Sequence, residues 1–260
     1  MTEKSWNTSI SEIKPNEVRL RGYRIDELMG QISFCEAIHL ALMGEIPSPE
    51  VGALLDAMLV SSIDHGTTPP STQAARITAS TGSDLNHAIA TGVLSINQYH
   101  GGAIYNCMGV LQEGLERAEY SGLSIEEAAS QLVVDYSARK VRIAGLGHRY
   151  HTDDPRTKKL FSLAEELGLA GDGIYMIKAI RSSISAQGKD LPINVDGALA
   201  ALLVDLKIPR ELANAFFIMA RVPGLTAHVY EEQTQERPMR RIDPTKAVYN
   251  GPESRTLNRD

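Results

Sequence analysis

The stretch SIEEAASQLVVDY, Ser124 to Tyr136, decides the fold class. Ile125, Ala128, Ala129, Leu132, Val133 and Tyr136 fall at i, i+3, i+4, i+7, i+8 and i+11, one face of a helix. Ser124 and Glu127 have the form of a capping box, in which hydroxyl and carboxylate each satisfy an orphan amide of the first turn. The same period returns on both sides. Leu54, Leu55, Met58 and Leu59 repeat it in VGALLDAMLVSSI, and the run from Ile32 to Ile46 meets Gly44 and Pro47, as helix ends commonly do. Asp84 to Asn97, Tyr105 to Tyr120, Gly173 to Ser185, Asp196 to Leu206 and Pro209 to Ala220 read alike. Strand-like alternation is confined to NEVRLRGYRI, Asn16 to Ile25. The expectation is an all-α fold with one short N-terminal β-hairpin. Residues 236–260 turn to proline, arginine and polar side chains and read as an extended C-terminal arm.

Composition narrows the function. The 260 residues contain no long polar linker, and 43% hydrophobic with 22% charged residues are globular values, so a single domain over 1–260 is expected. A net charge of −6 supplies no basic face for a polyphosphate backbone, which argues against a nucleic-acid partner. Cys35 and Cys107 form no CxxC and no His/Cys cluster, so neither a disulfide framework nor a metal site is expected. No GxxxxGK[ST] loop occurs, hence no nucleotide cofactor is expected. The polar start MTEKSWNTSISEIKPNE lacks the apolar region of a signal peptide, and no segment approaches the ~18 apolar residues of a membrane span. A cytoplasmic protein without membrane contact is the expectation.

Four polar clusters interrupt the helices. In SSIDHGTTPPST, Asp64 and His65 end an amphipathic helix, where a histidine either complements the helix dipole or meets a ligand. In NQYHGGAIYN, His100 precedes two glycines, which suit a plain turn or the close approach of a ligand. In IAGLGHRYHTDDPR, Asp154 and Pro155 read as N-cap and first residue of a helix running to Gly168, with Arg156 in the first turn. A cation there opposes the helix dipole by roughly 0.3–1 kcal/mol if exposed. A bound anion would remove that conflict. In LPINVDGALAALLVDL, Asn194 or Asp196 caps the next helix, or Asp196, entering apolar surroundings, has a raised pKa suited to proton transfer near neutrality.

In order along the chain, RGYRIDEL (Arg21–Leu28), DHG (Asp64–Gly66), HGGA (His100–Ala103), GLGHR with TDDPR (Gly145–Arg149, Thr152–Arg156), NVDG (Asn194–Gly197) and ARVPGLTAH (Ala220–His228) resemble the citrate synthase superfamily. The resemblance covers roughly residues 19–250. In length, and in DHGTTPPST, the chain is more similar to short citryl-CoA lyases and to the lyase module of ATP-citrate lyase than to a full citrate synthase. With no ATP-binding portion in the sequence, citryl-CoA would have to be supplied.

The resemblance implies a helical fold of two lobes, the smaller at about 108–215. It also implies a homodimer or higher homo-oligomer in which an arginine of the arm reaches the neighbouring subunit's site. His100, His148 and Asp196 take the catalytic positions. His65, Arg156 and Arg221, with Arg240 or Arg241 of the arm, surround the substrate carboxylates, for which guanidinium forks are suited. A coenzyme A thioester is the implied substrate, its phosphates near Arg142, Arg149, Lys158 or Lys159. The reaction implied is reversible Claisen cleavage of citryl-CoA to acetyl-CoA and oxaloacetate. A short citrate or 2-methylcitrate synthase is the first alternative. A non-catalytic CoA-thioester-binding subunit is the second, disfavoured because His100, His148 and Asp196 are all present.

Overall fold

The computed structural model describes residues 6–147, 152–241 and 243–257. Three short strands open it: β1 (Ser11–Lys14), β2 (Glu17–Leu20) and β3 (Tyr23–Arg24), paired antiparallel in the order β1-β2-β3. The expected hairpin is thus two hairpins sharing β2. Pro15 and Asn16, the latter at φ 63°, make the first turn. Arg21 and Gly22, at φ 50° and 91°, make the second, as two-residue hairpin turns with both central residues left-handed require. The Arg21 guanidinium donates from Nε and Nη2 to the Ala41 carbonyl at 3.1 and 2.8 Å, fastening the sheet to the helices.

The rest is helical: α1 (Ile25–Leu28), α2 (Phe34–Met43), α3 (Pro49–Ser61), α4 (Pro70–Ser80), α5 (Leu85–Leu94), α6 (Ala103–Ser121), α7 (Ile125–Ala138), α8 (Pro155–Glu166), α9 (Asp172–Ala186), α10 (Val195–Asp205) and α11 (Ala213–Gln235). The opening stretch is α7, and the Ser124–Glu127 capping box is formed in both directions, with amide contacts of 3.2 and 2.9 Å. No helix among the described residues is long and apolar enough to cross a membrane.

The main core lies where α6, α7, α9 and α10 pack together, with α8 against α10 and α3. Apart from Asp196, α10 is buried from Val195 to Leu203, as befits a helix apolar on all sides. Cys107, on α6, and Cys35, on α2, belong to this core, and burial pushes the Cys35 thiol up to about 11 and the Cys107 thiol higher still. A second, smaller cluster, Ala75, Ala79, Ala88, Leu225 and Val229, joins α4, α5 and α11.

Three helices depart from the sequence reading: the single turn α1, absent from it, and α4 and α11. α4 falls inside the polar cluster SSIDHGTTPPST and beyond it. Its buried face is Ser71, Thr72, Ala75, Arg76, Ala79 and Ser80, which carries no apolar stripe to betray it. α11 does not stop near Ala220 but continues to Gln235, through Pro223. Proline removes one helical hydrogen bond, and the flanking turns bury Phe217, Arg221, Leu225 and Val229 and hold the helix together.

Candidate active site

The loop before α10 is built by backbone contact. Gly145 has φ 84°, and a Cβ there would stand 2.6 Å from Cys107 Sγ and 2.7 Å from Gly197 Cα, so neither glycine tolerates a side chain without displacement. That proximity allows Leu146 to bridge Ile193, Gly147 N to donate to Pro192 O at 2.7 Å, and Asn194 N to donate to Gly145 O at 3.1 Å. Asn194 is the N-cap: its Oδ1 accepts from Gly197 N at 3.1 Å while its Nδ2 donates to Gly147 O at 2.8 Å. Capping thus falls to Asn194. Asp196, the second residue of the helix, is left for other work.

Burial raises the Asp196 carboxyl above its ordinary value; the cations Arg156 and Arg221 oppose the shift and Asp154 adds to it. Arg221 comes from α11 and is 4% exposed. Its Nε donates to Ser62 O at 3.1 Å and its guanidinium lies 4.8 Å from the Phe217 ring, but Nη1 is buried with no partner among the described residues. Burial lowers Arg221 from its ordinary value, with Asp64 and Asp196 pulling the other way. A buried guanidinium nitrogen without an acceptor carries a desolvation penalty that a ligand oxygen would relieve.

Arg156 stands at the start of α8 as expected. Its Nε and Nη2 grip the buried Asp154 carboxylate at 3.0 and 2.8 Å, and Asp154 also caps the helix by accepting from Arg156 N at 3.0 Å. Among the described residues Arg156 Nη1 makes no hydrogen bond. The dipole conflict is therefore answered in part by Asp154 itself.

His100 is fixed by a two-residue turn, exchanging backbone hydrogen bonds with Asn97 at 2.8 and 2.9 Å. Gly101, at φ 94°, leaves room for Phe217, which a Cβ would meet at 2.9 Å. The His100 ring packs edge-on against Phe217, centroids 5.5 Å apart, and its Nε2 lies 2.8 Å from Ser71 Oγ. Burial first, then the charges of Arg221 and His65, lowers the His100 pKa, which favours a neutral ring. His65 is solvent-exposed at the margin; partial burial and the charges of Arg156 and Arg221 lower it, against Asp64 and Asp154.

Arg221 links the group: its charge acts on His65, His100 and Asp196, and Arg156 acts on His65, Asp196 and Arg221. His148 and Arg149 lie outside the described residues. Arg240 is occupied within its own chain, donating to Glu232 at 2.8 and 2.5 Å. Arg241 is exposed. Lys158 pairs with Asp153, and Lys159 is exposed. Arg142 lines a cavity of about 440 Å³ with Tyr136, Lys140, Leu146, Lys189 and Leu191, against the Gly145–Gly147 loop. Ser71, Phe217, Lys140 and Lys189 were not singled out by the sequence. Nothing in their spacing marks them.

The solved citryl-CoA lyase of Hydrogenobacter thermophilus superposes with a TM-score of 0.90, at 42% identity over 97% of both chains. The citrate synthase of Haloferax volcanii is 35% identical over 215 residues, 81% of this chain and 53% of that protein. A citrate/2-methylcitrate synthase of Bacillus subtilis is 32% identical over 220 residues, 83% of this chain and 55% of that one. The chain spans about half the length of these two curated relatives. Residues 40–242 match the family profile described as citrate synthase, C-terminal domain, and the chain belongs to the citrate synthase family.

Proposed function

We propose that the protein is a citryl-CoA lyase, cleaving citryl-CoA to acetyl-CoA and oxaloacetate. The observation that carries the reading is the pairing of a carboxyl with raised pKa, Asp196, with two convergent arginines, one of which holds a buried nitrogen without an acceptor among the described residues. The close likeness to a citryl-CoA lyase over nearly the whole of both chains supports it.

In this reading Arg156, Arg221 and His65 hold the substrate carboxylates. His148 takes the hydroxyl proton of citryl-CoA, the carbon–carbon bond breaks, and its electron pair moves onto the thioester as an enolate. The Ser71 hydroxyl donates to His100 Nε2, which leaves the ring proton on Nδ1 to meet the enolate oxygen. Asp196, whose burial raises its hold on a proton, is the acid that gives a proton to carbon and releases acetyl-CoA. Coenzyme A lies along the Gly145–Gly147 loop, with its phosphates toward Arg142, Lys140 and Lys189 of the adjoining cavity. Arg240 being held by Glu232, Arg241 is the arginine of the arm offered to a neighbouring subunit.

The synthase reading is supported by the two curated relatives, and the same residues run in reverse would serve it. One assay separates the two. Citryl-CoA consumed to oxaloacetate without free thiol supports the lyase; acetyl-CoA plus oxaloacetate yielding free thiol and citrate supports the synthase. If neither reaction occurs and Asp196→Ala leaves ligand binding unchanged, both fail.

A further inference from the structure

Behind the site runs a chain of polar contacts that the chemistry above does not use. Glu232, 2% exposed in the interior of α11, accepts from Arg76 Nε at 2.8 Å and from both ends of the Arg240 guanidinium. Arg76, on α4, turns its Nη1 to His228 Nδ1 at 3.0 Å and to Glu231 at 2.5 Å. His228 Nε2 lies 3.0 Å from Asp64 Oδ1. Asp64 Oδ2 accepts from Gly66 N at 2.9 Å, a bond that spans His65. Asp64 is thus the buckle of the turn that carries His65.

The donors fix the direction of this chain. A guanidinium only donates, so the Arg76 contact needs the lone pair of His228 at Nδ1, and the ring proton sits on Nε2, where it donates to Asp64. Burial would raise the Asp64 carboxyl, but the Gly66 and His65 amides and His228 outweigh it and keep it ionised. Each member has one arrangement that satisfies its neighbours.

We infer that His228 is a positioning residue: with its proton on Nε2 it holds Asp64, and through Asp64 the His65 turn, in the substrate-binding arrangement. Arg76 and Glu232 tie that arrangement to the C-terminal arm at Arg240. The part of the inference that concerns turnover rests on the citryl-CoA reading; the relay itself does not.

Nitrogen-15 histidine spectra of the full chain, which has seven histidines, test the relay without substrate. The His228 ring is expected as the Nε2–H tautomer. His228→Ala should displace the His65 ring resonances, and His228→Gln, whose amide nitrogen reaches the Nε2 position, should return them toward their original place. Arg240→Gln should shift His228. In turnover of citryl-CoA, His228→Ala should raise KM on the order of tenfold with a smaller change in kcat, as slight misplacement of a binding group does. The Gln variant should restore KM. An Nδ1–H tautomer overturns the proposal. So do unmoved His65 resonances in the alanine variant, or a glutamine variant no better than alanine. Should His228→Ala not fold, the native tautomer and the glutamine variant decide. Absent turnover in the native protein with the spectral signature intact sinks the functional reading and leaves the relay standing.

Discussion

A carboxyl whose proton is held more tightly in the folded chain than in the unfolded one weakens the fold as pH rises. Asp196 is in that position, so between its unfolded value near 3.8 and its raised folded value the native state binds the extra proton and stability falls with pH. Asp196→Asn should therefore melt higher than the native protein at neutral pH, with the difference shrinking as pH approaches 4, readable in thermal melts across a pH series. The same variant should lose turnover by roughly 10²- to 10⁴-fold, the usual weight of a positioned proton-transfer group. Arg221→Met offers a converse pairing of effects. It removes a buried nitrogen without an acceptor among the described residues, so unliganded stability should hold or rise, while kcat/KM should fall by an amount equivalent to ~2–5 kcal/mol, the cost of truncating one partner of a buried charge pair. A fall in unliganded melting temperature with unchanged kcat/KM would sink the assignment. Whereas Arg221, inside α11, is reached only through the family resemblance, His65, His100, Arg156 and Asp196 stand out in the sequence because their flanking glycines, prolines and aspartates mark turns and helix ends. Ser71 does not, since it is one serine among several in a polar stretch and meets His100 only through the packing of α4.

At the scale of elements, the start of α10 carries most of the construction. Asn194 caps the helix and, with its other amide atom, grips Gly147 O, so one side chain fixes both the helix that bears Asp196 and the loop that leads to residue 148. Asn194→Ala should lower stability by about 1–2 kcal/mol, seen as a lower urea midpoint, and reduce turnover through misplacement rather than loss of chemistry. Asn194→Asp, which keeps the cap but not the donor to Gly147, should regain the stability and not the rate. The helices with an apolar face, α3, α6, α7 and α9, were legible because burial of one stripe imposes the 3.6-residue period. α4 was not, because its buried face is made of alanine, serine, threonine and Arg76. α11 was legible only to its midpoint, since Pro223 reads as a stop and the packing that overrides it is tertiary. The strand that escaped was β1, Ser11–Lys14, which precedes the alternating stretch and is exposed along its length, so no buried face imposes a period on it.

Across the molecule, the loop at Gly145 joins the main core to the site, so ligands there should report on global stability. At about a hundredfold excess over its dissociation constant, coenzyme A should add ~2.7 kcal/mol to unfolding. The gain should largely vanish in the Arg142→Glu, Lys189→Glu double variant, while protection by oxaloacetate persists; equal loss of both would place coenzyme A elsewhere. The two buried thiols have a practical consequence. With Cys35 pushed up to about 11 and Cys107 enclosed beside Gly145, the folded chain presents no reactive thiolate, so thiol reagents should leave it unlabelled until it opens. The protein carries its own clock: the pace at which maleimide marks its two cysteines times the opening of the fold, ligand by ligand and variant by variant, without a dye being added.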